Sequence, residues 1–210
     1  MGHPFSELSA RRHAHVARRA DNLGWIGRLG GVLTSPVRLC FVCSGNICRS
    51  PTAEVVLTRL AAERGLSGLV RAASAGTGSW HAGDDMDKRS RQTLEQAGYE
   101  VPRHVARQFE PADFDAYELV VALDGGHKNV LWWLAAETTD ADAAREKIVM
   151  LRAFDPLLDP GEEPDVADPY YGERGGFTDV LDQVERSCAG LLTAIDSGEL
   201  LAQQPERPPR

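Results

Sequence analysis

The sequence of 210 residues predicts an α/β fold, in which helices cover both faces of a four-stranded parallel sheet. Four short apolar segments alternate along the chain with four longer segments of helical pattern. The hydrophobic fraction of 42% and the charged fraction of 26% are those of an ordinary globular protein. Alternation of this kind is typical of parallel strands connected by helices, with a ligand at the carboxyl ends of the strands.

The elements follow in chain order. We expect strands at 37–42, 69–73, 119–123 and 147–151, and helices near 51–64, 87–97, 127–136 and 177–195. Only Arg38 interrupts the apolar run of the first strand. Pro51 stands where the first helix begins, and Gly65 marks its end. The polar stretch from 136 to 146 is interpreted as a surface loop.

One domain is predicted, at residues 37–197. Residues 1–36 form a basic extension with no predicted stable structure, and residues 198–210 form a polar, Pro-rich tail. Glycines and Arg28 interrupt the apolar run at 25–30, so no secretory signal is predicted. No apolar run approaches the roughly 20 residues that span a bilayer. We therefore expect a soluble, cytoplasmic protein, and a monomer.

Charge and cysteine content narrow the class of protein. The formal net charge of −8 argues against nucleic-acid binding, which depends on Lys and Arg. Cys40, Cys43 and Cys48 lie close together, whereas Cys188 stands alone. This clustering indicates a reactive site in a reducing compartment rather than a disulfide framework. No second Cys or His pair follows at ligand spacing, so neither a metal site nor a cofactor is predicted.

The strand at 37–42 leads directly into a loop, which reads Cys43-Ser44-Gly45-Asn46-Ile47-Cys48-Arg49-Ser50. A helix follows, and loop N–H groups together with a helix N-terminus form an anion site. Gly45 and Asn46 tolerate the unusual backbone angles of such a loop. Arg49 offers a planar, permanently charged fork that matches two phosphate oxygens. The loop is therefore predicted to bind phosphate or another oxyanion.

Spacing identifies the nucleophile within this loop. Arg49 follows Cys43 by six positions, and the same offset from Cys40 or Cys48 gives no arginine. A helix N-terminus and a neighbouring arginine both favour the thiolate form of a cysteine. We therefore expect Cys43 to react as a thiolate; the alternative is a small buried residue at a strand end. Cys40 and Cys188 are interpreted as core residues.

Residues 43–54 meet in full the signature Cys-x-Gly-Asn-x-Cys-Arg-Ser-Pro-x-Ala-Glu, and the chain here resembles the low-molecular-weight protein tyrosine phosphatases. The similarity extends over residues 37–195 and is closest to the actinobacterial members. Its further segments are Ser74-Ala75-Gly76-Thr77, Trp80-His81-x-Gly83, Asp87-x-Arg89, His104-x-Ala106-Arg107-Gln108, Ala122-Leu123-Asp124 and Asp168-Pro169-Tyr170-Tyr171-Gly172. The resemblance implies a flavodoxin-like order of strands.

The resemblance implies hydrolysis of phosphotyrosine in proteins through a phosphocysteine, with Asp168 as general acid and base. A phenolate with a conjugate-acid pKa of about 10 is a poor leaving group and needs such an acid. Several other acids share the segment of Asp168, so sequence alone does not single it out. Ser50 is expected to donate to the Cys43 thiolate, and Cys48 to form a reversible protective disulfide with Cys43.

Supporting roles also follow from the resemblance. Asn46, Ser74 and His104 are expected to form hydrogen bonds that fix the loop. Asp124 either braces the loop or caps the end of a strand. An aromatic wall of the pocket is expected from Trp80, Tyr170 and Tyr171. The alternative for Trp80 is a core or interface residue. Stacking on such a wall favours an aromatic substrate.

Four other functions are alternatives for a chain with this loop. Phosphoarginine phosphatases of this family place threonine at the position of Ile47, and an apolar side chain there favours an aryl phosphate. Arsenate reductases of the same fold need further cysteines about seventy residues after the loop, where this chain has none. A thiol redox sensor using Cys43 and Cys48, or an inactive phosphopeptide-binding module, would need no turnover.

Overall fold

The computed structural model describes residues 28–29, 32–33, 36–170, 175–198 and 200. Within the predicted N-terminal extension, strand β1 (Arg28–Leu29) pairs antiparallel with strand β2 (Val32–Leu33). The rest of that extension up to residue 35, nearly all of the predicted tail, and Tyr171 lie outside the described residues.

The main sheet has four parallel strands, which are β3 (Val37–Cys43), β4 (Val70–Gly76), β5 (Leu119–Ala122) and β6 (Ile148–Met150). Their spatial order is β4-β3-β5-β6. The first strand of this sheet thus lies between the second and the third, which is the flavodoxin-like order. The predicted fold is confirmed. In such a sheet the chain leaves β3 and β5 towards opposite faces, which opens a crevice at their carboxyl ends.

The helices are α1 (Arg49–Glu63), α2 (Lys88–Gln96), α3 (Asp113–Ala116), α4 (Gly125–Ala135), α5 (Ala141–Glu146) and α6 (Gly175–Ser197), with a 3₁₀ turn at Leu151–Phe154. Alternate residues of β3 point to opposite faces of the sheet. Leu39 and Phe41 pack in one buried cluster with α1 and α6, whereas Cys40 and Val42 pack in a second cluster with α4. None of the helices in the described part of the chain is long and apolar enough to cross a bilayer.

Several details differ from the sequence prediction, among them helix α3 and the 3₁₀ turn, which were not predicted. The segment 136–146 is not wholly a loop, because Asp140 accepts a hydrogen bond from Ala143 N at 3.0 Å and caps the short helix α5. Strand β4 extends beyond residue 73 to Gly76, since small residues let it continue in register with β3 up to Cys43. The predicted core positions of Cys40 and Cys188 are confirmed, both with 0% exposure.

Candidate active site

The loop between Cys43 and Arg49 has its carbonyl groups turned outward. The carbonyls of Cys43 and Ser44 accept hydrogen bonds from the amides of Thr77 and Gly78 at 2.8 and 3.1 Å. Farther along, His104 Nε2 lies 2.7 Å from Asn46 O, and Asp87 N donates to Ile47 O at 2.8 Å. In a trans peptide the N–H points opposite to the carbonyl. Each of these four carbonyls is followed by an amide that is therefore directed inward. These amides belong to residues 44, 45, 47 and 48.

Two backbone features permit this geometry. Asn46 has φ 57°, the left-handed conformation that asparagine tolerates better than most residues. At the end of β4, Gly76 lies directly beneath the loop. A Cβ atom there would stand 2.7 Å from Ser44 O and 3.1 Å from Asn46 N, so only glycine fits.

A chain of hydrogen bonds runs from Glu54 to the Cys43 thiol. Ser74 Oγ donates to Glu54 Oε2 at 2.5 Å, and Asn46 Nδ2 donates to both Ser74 Oγ at 2.9 Å and Ser50 Oγ at 3.0 Å. Ser50 Oγ lies 3.0 Å from Cys43 Sγ. An ionised carboxylate only accepts, so Glu54 sets the direction of the chain. Ser50 Oγ accepts from Asn46, so its own proton can go to the sulfur or to Ala75 O, which lies 3.2 Å away.

Asn46 is also held from the segment that precedes α3. Arg107 N donates to Asn46 Oδ1 at 3.0 Å, while Nη1 of the same arginine pairs with Asp113 at 2.9 Å. With His104 on its carbonyl, Asn46 is hydrogen-bonded through its backbone, its amide nitrogen and its amide oxygen. The predicted contacts of Asn46 with Ser74 and His104 are therefore present in the structure.

Arg49 opens helix α1 and is nearly buried, with 5% side-chain exposure. Its Nη1 pairs with Asp124 at 2.7 Å and donates to Val166 O at 3.2 Å. Its Nη2 pairs with Asp168 at 2.9 Å. The guanidinium thus lies between the end of β5 and the segment before α6, beside the loop that it follows.

Asp124 stands two residues after the end of β5 and both binds Arg49 and caps α4. Its Oδ1 accepts a hydrogen bond from His127 N at 2.8 Å. Burial alone would raise the pKa of this carboxyl, but the contacts with His127 and the charge of Arg49 outweigh burial and hold the pKa below its ordinary value. Two roles were predicted for Asp124, bracing of the loop and capping of a strand end. Asp124 has a contact for the first through its pairing with Arg49. It also acts as a cap, but of a helix rather than of a strand.

The predicted general acid reaches the loop through Arg49. Asp168 is 42% exposed at its side chain, and its other oxygen accepts from Tyr170 N at 3.0 Å. The carboxylate is thus both close to the loop and open to solvent, as a group that exchanges protons with substrate and water must be.

Arg89 connects the segment of Asp168 with the loop. Its guanidinium carbon lies 5.4 Å from the ring centroid of Tyr170 and 4.6 Å from that of Phe177, and its Nη1 donates to Tyr170 O at 3.2 Å. The same guanidinium pairs with Asp87 at 2.8 Å, and the amide of Asp87 binds Ile47 O. Arg89 therefore fixes Tyr170 relative to the loop.

Trp80 lies at the loop, close to Gly45. A Cβ atom on Gly45 would stand 2.7 Å from His81 Cδ2 and 3.4 Å from Trp80 Nε1. The Trp80 ring also covers Gly78, where a Cβ atom would overlap it. With 67% exposure Trp80 is not a core residue, and Tyr170 is 39% exposed. In contrast to these two exposed aromatic residues, Ile47 is buried in a small cluster with Cys48, Ala106 and Phe177.

Several contact residues had no role assigned from sequence. Glu54, Arg89 and Arg107 stood in the matched segments, but their partners are set by tertiary packing. His127 stood in no segment; its signal is the position three residues after Asp124, in the first turn of the helix that follows β5. Within the part of the chain that the structure describes, no group of three or more His, Cys, Asp and Glu residues is arranged to hold a metal ion.

Known proteins show the same combination of fold and loop. A family model described as low molecular weight phosphotyrosine protein phosphatase matches residues 38–200. The low molecular weight protein-tyrosine-phosphatase of Streptomyces coelicolor is 49% identical over 158 residues, which cover 75% of this chain and 93% of the relative. That relative comes from an actinobacterium, as the sequence resemblance predicted.

Solved structures agree. A protein tyrosine phosphatase from Entamoeba histolytica superposes with a TM-score of 0.70 at 31% identity, covering 77% of this chain and 98% of that one. DARP, a Drosophila arginine phosphatase, superposes with a TM-score of 0.67 at 31% identity, covering 75% of this chain and 96% of that one. These relatives do not favour the arsenate reductase or redox-sensor alternatives. The chain therefore belongs to the low molecular weight protein tyrosine phosphatases and is a phosphoric monoester hydrolase.

Proposed function

We propose that Cys43, Arg49 and Asp168 hydrolyse phosphotyrosine in proteins at this loop. The observation that carries the assignment is the convergence of four inward amides, the Arg49 guanidinium and the Asp168 carboxylate on the segment that begins with the Cys43 thiol. A phosphate dianion bound there receives hydrogen bonds on its equatorial oxygens, where charge stabilisation is most effective in phosphoryl transfer.

In the first step the Cys43 thiolate attacks phosphorus and forms an S–P bond as the P–O bond to the tyrosine breaks. The electron pair of that bond stays on the phenolic oxygen, which takes a proton from the Asp168 carboxylic acid. Arg49 and the loop amides hold the three equatorial oxygens throughout. The products of this step are a dephosphorylated tyrosine residue in the substrate protein and a phosphocysteine.

In the second step water attacks the phosphocysteine. The Asp168 carboxylate accepts a proton from that water, an O–P bond forms and the S–P bond breaks, which releases inorganic phosphate. The electron pair returns to Cys43 as a thiolate. Ser50, with its oxygen 3.0 Å from the sulfur, donates a hydrogen bond that stabilises this leaving group.

Trp80 and Tyr170 support a preference for aryl phosphates, since both are exposed aromatic residues close to the loop. Stacking on an aromatic ring adds about 0.5–1.5 kcal/mol, which a phosphoserine does not gain. Tyr171, which lies outside the described residues, is proposed as the third member of this wall from the sequence resemblance alone. Because a Drosophila protein of similar fold is an arginine phosphatase, phosphoarginine is the competitor to measure, and we expect the aryl phosphate to have the higher kcat/KM.

The proposed setting is the cytoplasm, and the proposed state is a monomer that acts on phosphotyrosine proteins. All four cysteines are free in the structure, and a reducing compartment keeps the Cys43 thiolate available. Fractionation of cells and gel filtration test these two points. Recovery in an oxidising compartment, or elution as a stable dimer, would contradict them.

Hydrolysis of an aryl phosphate by the wild-type protein and two variants tests the assigned roles. Cys43→Ser should have no measurable turnover, because a hydroxyl is a much weaker nucleophile here. Asp168→Asn should lose about 10²–10⁴-fold in kcat on the aryl substrate, since it can no longer protonate the leaving oxygen. Unchanged turnover in Cys43→Ser would reject the nucleophile, and unchanged turnover in Asp168→Asn would reject the acid.

We also propose that peroxide links Cys43 to Cys48, which are five positions apart in the same loop. Peroxide oxidises the Cys43 thiolate to a sulfenic acid, and the Cys48 sulfur then displaces water to form the disulfide. Wild-type protein should regain activity with thiol after peroxide treatment, and Cys48→Ser should regain less. Equal recovery of the two proteins would disprove the disulfide.

A further inference from the structure

A second set of polar contacts reaches the loop from the α4 side. Ser44 Oγ lies 2.8 Å from His127 Nε2, and His127 Nδ1 lies 2.9 Å from Asp124 Oδ1. The other oxygen of Asp124 pairs with Arg49 Nη1 at 2.7 Å. The imidazole has only 5% side-chain exposure. One buried histidine therefore stands between the residue after the nucleophile and the carboxylate that holds the phosphate-binding arginine.

The imidazole contacts a different group with each of its nitrogens. Nε2 and Ser44 Oγ share a hydrogen bond, in which either atom can be the donor. Nδ1 lies close to the Asp124 carboxylate without the geometry of a hydrogen bond, so this second contact is a close electrostatic approach of ring and carboxylate.

The arrangement links two parts of the anion site that are far apart in sequence. Ser44 and His127 are separated by 83 residues, and Arg49 and Asp124 by 75. Asp124 already caps α4 through the His127 amide, so the backbone position of His127 does not depend on its ring. The ring instead supplies side-chain contacts to the loop and to the Arg49 partner.

We propose that His127 is a positioning residue of the phosphate loop, which holds Ser44 at one end and, through Asp124, the Arg49 guanidinium at the other. This inference rests on the proposed role of Arg49 in binding phosphate. A loop held at both points presents its amides and its guanidinium to the oxyanion in a fixed geometry. Loss of the ring weakens the binding of inorganic phosphate to the enzyme and the stabilisation of the phosphoryl group in the transition state.

Three variants and a control test this role. His127→Ala removes both ring contacts. His127→Gln keeps an amide near the position of Nε2, facing Ser44, and His127→Asn keeps one near Nδ1, facing Asp124. Asn129→Ala changes an exposed residue of the same helix and serves as the matched control. Each protein is measured for inhibition by inorganic phosphate, for kcat/KM on an aryl phosphate and for melting temperature.

We expect His127→Ala to raise the phosphate inhibition constant and to lower kcat/KM, each by about tenfold, the usual size of a lost supporting contact. The Gln and Asn variants should each recover part of both losses, and Asn129→Ala should match wild type. If the three His127 variants kept both constants within about twofold of wild type while their melting temperatures fell, His127 would be structural only and the proposal overturned. Absence of turnover in the wild type would instead reject the proposed function.

Discussion

The four cysteines show how the surroundings of a residue decide its chemistry. Burial raises the pKa of Cys48 to about 12, and burial likewise raises the pKa values of Cys40 and Cys188. Cys43 alone has its sulfur beside the Ser50 hydroxyl, at the start of a loop whose amides point inward. Burial thus keeps the other three thiols protonated near neutral pH, and the loop surrounds the sulfur of Cys43 with hydrogen-bond donors.

Alkylation should discriminate among these thiols. With a pKa raised to about 12 by burial, the Cys48 thiol stays protonated at about pH 7.5, and the thiolate is the form that reacts. Iodoacetate should therefore modify Cys43 and leave Cys48 unmodified, and inorganic phosphate should protect Cys43. Peptide mass spectrometry reads out both results. Modification of Cys48 at a rate similar to that of Cys43 would contradict this assignment.

Ser50→Ala tests the hydrogen bond to the sulfur. The hydroxyl stabilises the thiolate as it leaves phosphorus, and a hydrogen bond to a charged group contributes about 1.5–3 kcal/mol. We expect kcat to fall about tenfold to a hundredfold with a smaller change in KM. Rapid-quench kinetics should show a larger burst of phenol release, because breakdown of the phosphocysteine becomes slower. A loss in KM alone would place Ser50 in substrate binding.

At this scale the residues that are predictable from sequence are those whose chemistry is local. Cys43 and Arg49 lie in one loop, so their spacing identifies them. Asp168 lies 119 residues beyond Arg49 among several acids, and only the resemblance singled it out. His127 was missed because its contact with Ser44 depends on how β3 and β5 pair, which periodicity does not reveal.

At the scale of elements, the pairing of β3 with β5 brings the site together. The loop follows β3, Asp124 follows β5, and parallel neighbours end at the same edge of the sheet. Strands and long helices were predictable because their apolar periodicity is strong. Helix α5 was not, since a capped segment of six residues has too few apolar positions to show a period.

Asp124→Asn should destabilise the protein in a pH-dependent manner. The folded-state pKa of Asp124 lies below its unfolded value of about 3.9, so its stabilisation is complete above about pH 4 and is lost as pH falls towards the folded pKa. We expect a difference of about 1.5–3 kcal/mol between wild type and variant near neutral pH.

Thermal unfolding at a series of pH values measures this effect. The difference in melting temperature should be constant from about pH 8 to about pH 5 and should shrink below about pH 4. A difference that grew as the pH fell would contradict the lowered pKa of Asp124.

At the scale of the whole molecule, α6 covers one face of the sheet and rests on the 3₁₀ turn. Gly190 is the point of closest approach, because a Cβ atom there would overlap the carbonyl of Phe154. Near this contact, Asp155 is fully buried and pairs with Arg186 of α6 at 3.0 Å. This packing fixes the start of the segment that leads to Asp168.

Gly190→Ala should therefore destabilise the fold. Overpacking against backbone costs about 1–3 kcal/mol, and each kcal/mol lowers the melting temperature of a domain of this size by roughly 2–4 °C. Gly68→Ala is the matched control, because no atom lies within 4 Å of a Cβ built there. Equal melting temperatures for the two variants would show that α6 does not pack on the turn as described.

Hydrolysis by this mechanism passes through a phosphoryl group on Cys43. Trapping that phosphoryl group is the most direct test of the mechanism. Wild-type protein is mixed with an aryl phosphate, quenched within the first turnover and digested under conditions that preserve an S–P bond. We expect one added phosphoryl group on the peptide that contains Cys43 and none in Cys43→Ser. A phosphoryl group on another residue, or turnover of the wild type with no phosphorylated peptide, would contradict the account.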